Sequence, residues 1–215
     1  MPAIFGKPYT ESRIVHCPFG KIEGIKKIPV ECVDEMKALE QYNLFFGLTK
    51  TYDDFITDKE YKYCNIYGTE SGLVHSPKWY GLNEQYLRWT AASYHTPLLK
   101  QWIESLDIEI YKASIMRMPP GGFVSWHADT RYSAFEQPEG EITINCAINH
   151  PEGSVIEFFG FDPIPFEQGD AYWFRNSEIL CAYNRGSETR YQLLIGRRED
   201  MPDYNTGKRF FDSHE

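Results

Sequence analysis

Glu141-Ile142-Thr143-Ile144-Asn145-Cys146-Ala147-Ile148-Asn149 alternates without a break. Ile142, Ile144, Cys146 and Ile148 fall on one face of an extended chain, and Thr143, Asn145, Ala147 and Asn149 on the other. A helix would scatter the isoleucines around its circumference, so the stretch is a strand with one apolar face and one mixed face. The pattern leaves two readings of the mixed face: it lines a ligand space inside a barrel, or it meets solvent.

The same period of two extends in both directions. Residues 108–118 read as a strand, Pro119-Pro120-Gly121-Gly122 as a tight turn, and residues 123–129 as the next strand. Downstream, residues 154–159, 171–175, 179–183 and 189–195 repeat the pattern, separated by Gly, Pro, Asn and Asp. Short strands at regular spacing indicate a sandwich or jelly roll over residues 108–197. The expected class is mainly β with N-terminal helices.

Residues 1–107 read as a helical and irregular layer packing on that core. Residues 1–30 are punctuated by Pro and Gly. Val33, Met36, Leu39, Tyr42 and Phe46 predict a helix over 33–46, and residues 50–80 read as loop with short strand. Residues 83–94 read as helix or partly loop. Thr96-Pro97 opens another helix, with Thr96 as cap, Pro97 in the first turn, and Leu98, Leu99, Trp102 and Leu106 as its apolar face. Residues 198–215 form a polar tail, and the whole is expected to be one structural domain.

Composition narrows the setting. At 215 residues, 42% hydrophobic and 16% aromatic, the chain can bury a substantial core. No apolar run is long enough for a spanning helix, and the N-terminus lacks a signal layout. The five cysteines are odd in number and widely spaced, with no CxxC, which argues against a disulfide framework or a zinc knuckle. A cytoplasmic location is expected. A net charge of −9 with only short basic clusters, at residues 21–27 and at Arg197-Arg198, argues against duplex nucleic acid as a partner. A membrane partner is not expected either, and the pattern specifies no oligomeric state.

Trp126-His127-Ala128-Asp129 carries the chemistry. Residues two apart on a strand share a face, so His127 and Asp129 can put a nitrogen and an oxygen on one cation. Imidazole plus carboxylate, with open positions, suits Fe(II). A histidine merely bonded to a neighbouring carboxylate is the plainer reading of the motif alone. Its surroundings add weight: Gly169-Asp170 opens a strand of large aromatics, and Asn184 precedes Arg190. A buried Arg190 needs an anion, which a ligand carboxylate or an acidic side chain would supply. Asn145 belongs to the mixed face and is a candidate to touch the same ligand. Trp126, Tyr132, Phe135 and Trp173 either wall a cavity or fill core. His150 reads as a turn histidine; His16, His75 and His95 read as structural or surface groups.

Together, Met118 through Gly122, His127-Ala128-Asp129, residues 142–148, Gly169 through Phe174, and Asn184 through Arg190 resemble the catalytic core of Fe(II)/2-oxoglutarate-dependent dioxygenases, in the aspartyl/asparaginyl β-hydroxylase-like branch. The likeness spans somewhat under half of the chain. It implies a double-stranded β-helix (jelly roll), iron on His127 and Asp129, 2-oxoglutarate held by Arg190, oxygen, and hydroxylation of a C–H bond in a small molecule or amino-acid side chain. One element departs: the family pattern has a second histidine where this chain has Leu180. Three explanations are open. Iron sits on two residues and the cosubstrate; or Cys181, Glu178 or Asn176 substitutes; or the site is a relic in a binding module without turnover. A cupin-like metal enzyme that uses no 2-oxoglutarate is a further reading.

Overall fold

The computed structural model describes residues 3–4, 7–8, 17–47, 61–68, 87–129 and 142–198. Its strands are β1 (Ala3–Ile4), β2 (Lys7–Pro8), β3 (Phe19–Lys21), β4 (Phe46–Gly47), β5 (Lys62–Gly68), β6 (Arg88–Trp89), β7 (Ile110–Met118), β8 (Phe123–His127), β9 (Ile142–Ala147), β10 (Ser154–Phe158), β11 (Ala171–Arg175), β12 (Leu180–Asn184) and β13 (Arg190–Arg197). The helices are α1 (Cys32–Gln41) and α2 (Pro97–Glu104), with a 3-10 turn at Ala91–His95. One sheet has the order β3-β11-β9-β13-β7-β5-β4, with β6 on β5; a second has the order β10-β12-β8; β1 and β2 pair separately. Every pairing among the described residues is antiparallel. The fold is the expected jelly roll, mainly β, and among the described residues no helix is long and apolar enough to cross a membrane.

The alternation of β9 gives the larger sheet two cores. Ile144, Cys146 and Ile148 join Leu193, Ile195 and Ile115 against the helices, where Met36, Leu39, Leu99 and Trp102 close the layer. The opposite face meets the smaller sheet through Ala147, Met118, Ile156, Phe158, Phe174, Leu180 and Ala182. Each such Leu, Ile, Met or Phe side chain contributes about 1.5–3 kcal/mol when fully buried. Thr143 and Asn145 lie on this inner face and are buried, so the mixed face of β9 does not meet solvent.

The helices depart from the sequence pattern in instructive ways. α1 stops at Gln41, because Asn43 adopts φ 53° and the chain turns into β4; Phe46 is therefore a strand residue and Tyr42 is exposed. The described part of residues 83–94 forms β6 and the 3-10 turn rather than an α-helix. In α2, Pro97 takes the expected first turn, but Thr96 makes no side-chain cap. Glu35 of α1 caps it instead, accepting Leu98 N–H at 2.7 Å and Leu99 N–H at 3.1 Å. A tertiary carboxylate thus replaces the local hydroxyl and also opposes the helix dipole. Burial raises the Glu35 pKa even though these two N–H groups favour its charged form. Leu98 is exposed; Leu99, Trp102 and Ile103 form the buried face.

Asp170 fastens the N-terminal segment to β11. Its buried carboxylate takes Lys21 Nζ at 2.9 Å, Lys27 Nζ at 3.1 Å and the Glu167 N–H at 3.2 Å. Burial alone would raise its pKa, but the two ammonium groups and the N–H outweigh that and hold it below the usual carboxylate range. A depressed pKa stabilises the fold above the unfolded value of about 3.9 and ceases to do so as pH falls through the lower folded value. Asp170→Asn should be less stable than the parent at pH 7, and the gap should narrow below about pH 4. Urea melts across that range check it; a gap independent of pH would refute the role given to this carboxylate.

Candidate active site

β8 and β12 place the His127 imidazole. Their register pairs Leu180 with His127 and Ala182 with Val124, so β8 fits Ser125 and Trp126 into the space where β12 has Cys181 alone. That bulge resets the alternation: Val124 and His127, three residues apart, both lie opposite inward-facing residues of β12. Trp126 is left 39% exposed, edge-on to Phe159 at 5.8 Å. The tight turn before β8 forms as expected, with Gly121 at φ 79° and Gly122 N–H donating to Pro119 O at 2.9 Å.

Both ring nitrogens of His127 face oxygen. Nδ1 is 2.8 Å from Ser125 O and Nε2 is 2.9 Å from Asp129 Oδ1. A neutral imidazole has one N–H to give. If Nδ1–H serves the Ser125 carbonyl, the Nε2 lone pair and the Asp129 carboxylate share one point, and that point requires a proton or a cation. Burial alone would lower the His127 pKa; the Asp129 carboxylate, with help from Ser125 O, overcomes it and raises the value. Two donors bound at right angles to one ion at about 2.1 Å would stand about 3 Å apart, so the spacing suits a divalent metal. A metal-binding histidine whose other N–H is fixed by a backbone carbonyl is the arrangement that sets tautomer and ring orientation.

The described residues supply two such donors, and no cluster of three or more His, Cys, Asp or Glu able to hold a metal occurs among them. Leu180, opposite His127, is buried in the inner core. Cys181 lies on the other face of β12, where it pairs with Glu157 and its thiol donates to Glu157 Oε1 at 3.4 Å. Burial, reinforced by Glu157, pushes that thiol up to about 12, so it stays protonated. Asn176 Oδ1 accepts the Thr143 hydroxyl at 2.9 Å, and the Glu178 N–H closes a turn on Arg175 O.

Arg190 opens β13 on the inner face. It is 3% exposed; Nη1 donates to Val155 O at 3.1 Å, and Nε has no partner among the described residues. Among the described residues no carboxylate lies within ion-pair distance of it. Burial pulls its pKa down to about 10, which still leaves the charge in place at neutral pH. The charges of Arg190 and Asp129 both act on the Tyr61 phenol, whose pKa burial pushes far up. Burial, and after it the Arg190 charge, lowers the pKa of His150; that half-buried ring lies beside Phe166 at 5.6 Å. Asn145 Nδ2 donates to Thr143 Oγ1 at 3.0 Å on the same inner face. Asn149 is engaged by backbone, giving Nδ2–H to Thr189 O and taking Tyr191 N–H. His95 packs on Tyr42 at 4.3 Å, and Trp173 is half-buried against Gly20. Tyr132, Phe135, His16 and His75 lie outside the described residues.

Sequence reasoning passed over three groups. Gln192 shares the inner face with Arg190, and the period of two could have found it. Ser125 and Tyr61 enter only through the bulge and through the pairing of β5 with β7.

No family model and no curated protein match the chain. The jelly-roll fold is shared with solved prolyl hydroxylases. It is similar to a prolyl hydroxylase from Trichoplax adhaerens in complex with a hypoxia inducible factor peptide fragment, at TM-score 0.53 and 13% identity over 86% of each chain. It is similar as well to a viral collagen prolyl hydroxylase from Paramecium bursaria Chlorella virus-1 in complex with 2-oxoglutarate, at TM-score 0.51 and 11% identity, covering 84% of this chain and 96% of that one. A Pseudomonas putida prolyl-4-hydroxylase gives TM-score 0.50 and 13% identity, with coverages of 84% and 92%. Identities this low establish shared architecture, not shared chemistry.

Proposed function

We propose that this protein is a 2-oxoglutarate-dependent oxygenase that hydroxylates a C–H bond of a small molecule or an amino-acid side chain, with iron held by His127 Nε2 and Asp129. The observation that carries the reading is the imidazole with oxygen at both nitrogens, one a backbone carbonyl and the other a carboxylate. Bound ferrous iron and 2-oxoglutarate supply oxygen activation. The chain's own residues do the rest. Ser125 O keeps the proton on Nδ1, so that Nε2 presents its lone pair. Arg190, charged and short of an acceptor, orients the far carboxylate of 2-oxoglutarate, and Asn145 borders the same space. Leu180, Ile156 and Phe158 keep water out, which strengthens each polar contact inside. In this reading Leu180 occupies the place of a third protein ligand, and Cys181, turned to Glu157, does not replace it. The prolyl hydroxylases of similar fold support a peptide side chain as one candidate substrate class.

Anaerobic titration with Fe(II) and 2-oxoglutarate should produce the charge-transfer absorption of the chelate, and admitted oxygen should yield succinate. His127→Ala should lose at least tenfold in iron affinity, about 1.4 kcal/mol, and lose the absorption with it. A variant that binds iron like the parent would remove His127 from the site. A parent protein without the absorption would end the oxygenase reading.

A further inference from the structure

The two sheets finish their outer faces differently. Helices close the larger one, but the smaller one leaves Phe123, Trp126 and Phe159 exposed. Register explains the alignment. Val124, Ala182 and Ile156 fill the inner core, so their strand neighbours Phe123, Tyr183 and Val155, paired in a row across β8, β12 and β10, face outward. Trp126, in the bulge opposite Cys181, reaches across β12 to meet Phe159 edge-on at 5.8 Å. Just past β12, the exposed Arg185 guanidinium lies on the Tyr183 ring at 4.4 Å. That contact holds the guanidinium flat and leaves its N–H edge to solvent. Among the described residues no carboxylate lies within ion-pair distance of Arg185, whereas Glu157 on the same face takes the Cys181 thiol. The result is a strip with a cation at one end and, at the other, two rings beside His127 and Asp129.

Its dimensions choose the occupant. Three five-residue strands about 4.8 Å apart, at about 3.3 Å per residue, give a face of roughly 240 Å². A standard stable interface buries about 800 Å² on each partner, so a second copy of the chain is a poor fit. Arg185 stands five positions beyond Leu180, the residue opposite His127, or about 17 Å along the strand. An extended peptide covers that distance in about five residues.

We propose that this strip docks an extended segment of a peptide substrate. An Asp or Glu of the peptide meets Arg185, an apolar side chain packs on Trp126 and Phe159, and the residue to be hydroxylated passes over the end of β8 to the site. Only the last step rests on the oxygenase reading. A carboxylate on the guanidinium fork fixes direction, and the aromatic rings supply contact area while losing little rotamer freedom.

The test is selection from a random peptide library displayed on phage, against the full chain, followed by calorimetry with the synthetic consensus peptide. Selected peptides should share an Asp or Glu with an aromatic or aliphatic residue about four positions away. Arg185→Glu should weaken the consensus peptide by at least about tenfold, and a peptide with Lys in place of its acid should recover most of that loss. Trp126→Ala should weaken it by about tenfold, with Phe159→Ala in its place if that variant does not fold. Absence of a shared motif, or an affinity indifferent to both positions, overturns the docking strip. So does a dimer in sedimentation that Trp126→Ala dissolves, which assigns the face to a second copy. The charge-transfer absorption with Fe(II) and 2-oxoglutarate judges the oxygenase reading separately. If it is missing while the peptide binds, docking stands and hydroxylation falls; if it appears while no peptide binds, docking alone falls.

Discussion

Leu180→His should raise the affinity for ferrous iron by roughly 10–100-fold, about 1.4–2.8 kcal/mol. Residues paired across an antiparallel ladder hold their Cβ atoms about 4.5–5.5 Å apart on the same side of the sheet. Leu180 is paired with His127 in this way and faces the inner core. An imidazole there enters beside the lone pair of His127 Nε2 and the Asp129 carboxylate, and supplies the third donor absent among the described residues. The substitution has a cost. A polar ring in place of a buried leucine, without a partner, should destabilise the metal-free protein by about 1–3 kcal/mol. Metal binding should restore that loss, because an ion that binds only the folded state stabilises it by mass action. Isothermal titration with Fe(II) or Mn(II), together with thermal melts with and without metal, reads both effects. A variant that is destabilised but binds metal no more tightly would show that position 180 does not border the ion.

The second large effect is expected at Arg190. Arg190→Met should weaken 2-oxoglutarate binding by about 100-fold or more, since a paired charged hydrogen bond contributes about 1.5–3 kcal/mol and the guanidinium can make two. The same substitution should leave the unliganded fold as stable as before, or more so. Among the described residues Arg190 is buried with one carbonyl contact and an unpartnered Nε, and an uncompensated buried charge opposes folding. Methionine keeps much of the volume without the charge. Loss of ligand-induced stabilisation with an unchanged melting temperature in the empty protein is therefore the expected signature. Destabilisation of the empty protein with ligand binding intact would make Arg190 a structural residue bonded to Val155.

Much of this was legible in linear form. The alternation of residues 141–149 assigns β9, and the same period finds most of the strands that follow. It works because a strand between two cores must send successive side chains to opposite environments. The same period put His127 and Asp129 on one strand face; β8 ends at His127, and the two meet just past its end, at 2.9 Å. How His127 comes to face the inner core was not legible. The inward turn of His127 depends on a bulge in β8 between Val124 and His127, and an extra residue in a strand leaves no mark in the pattern until the partner strand counts against it. The fate of Cys181 illustrates this: adjacency to Leu180 made it a candidate ligand, and the ladder with β10 turned it toward Glu157. The helix ends failed for a related reason. Thr96 has the chemistry of a cap, but Glu35, far away in sequence, took the N–H groups first.

By itself the amino-acid order determined that this chain makes an antiparallel β core and carries an imidazole, a carboxylate and a guanidinium on it, since strand period and residue chemistry are local properties. Only the tertiary structure decided that the imidazole has oxygen on both sides, that Leu180 faces it, and that Arg190 and Gln192 lie buried with polar atoms unanswered. Those outcomes depend on register and burial, which exist only once separate strands have been brought together.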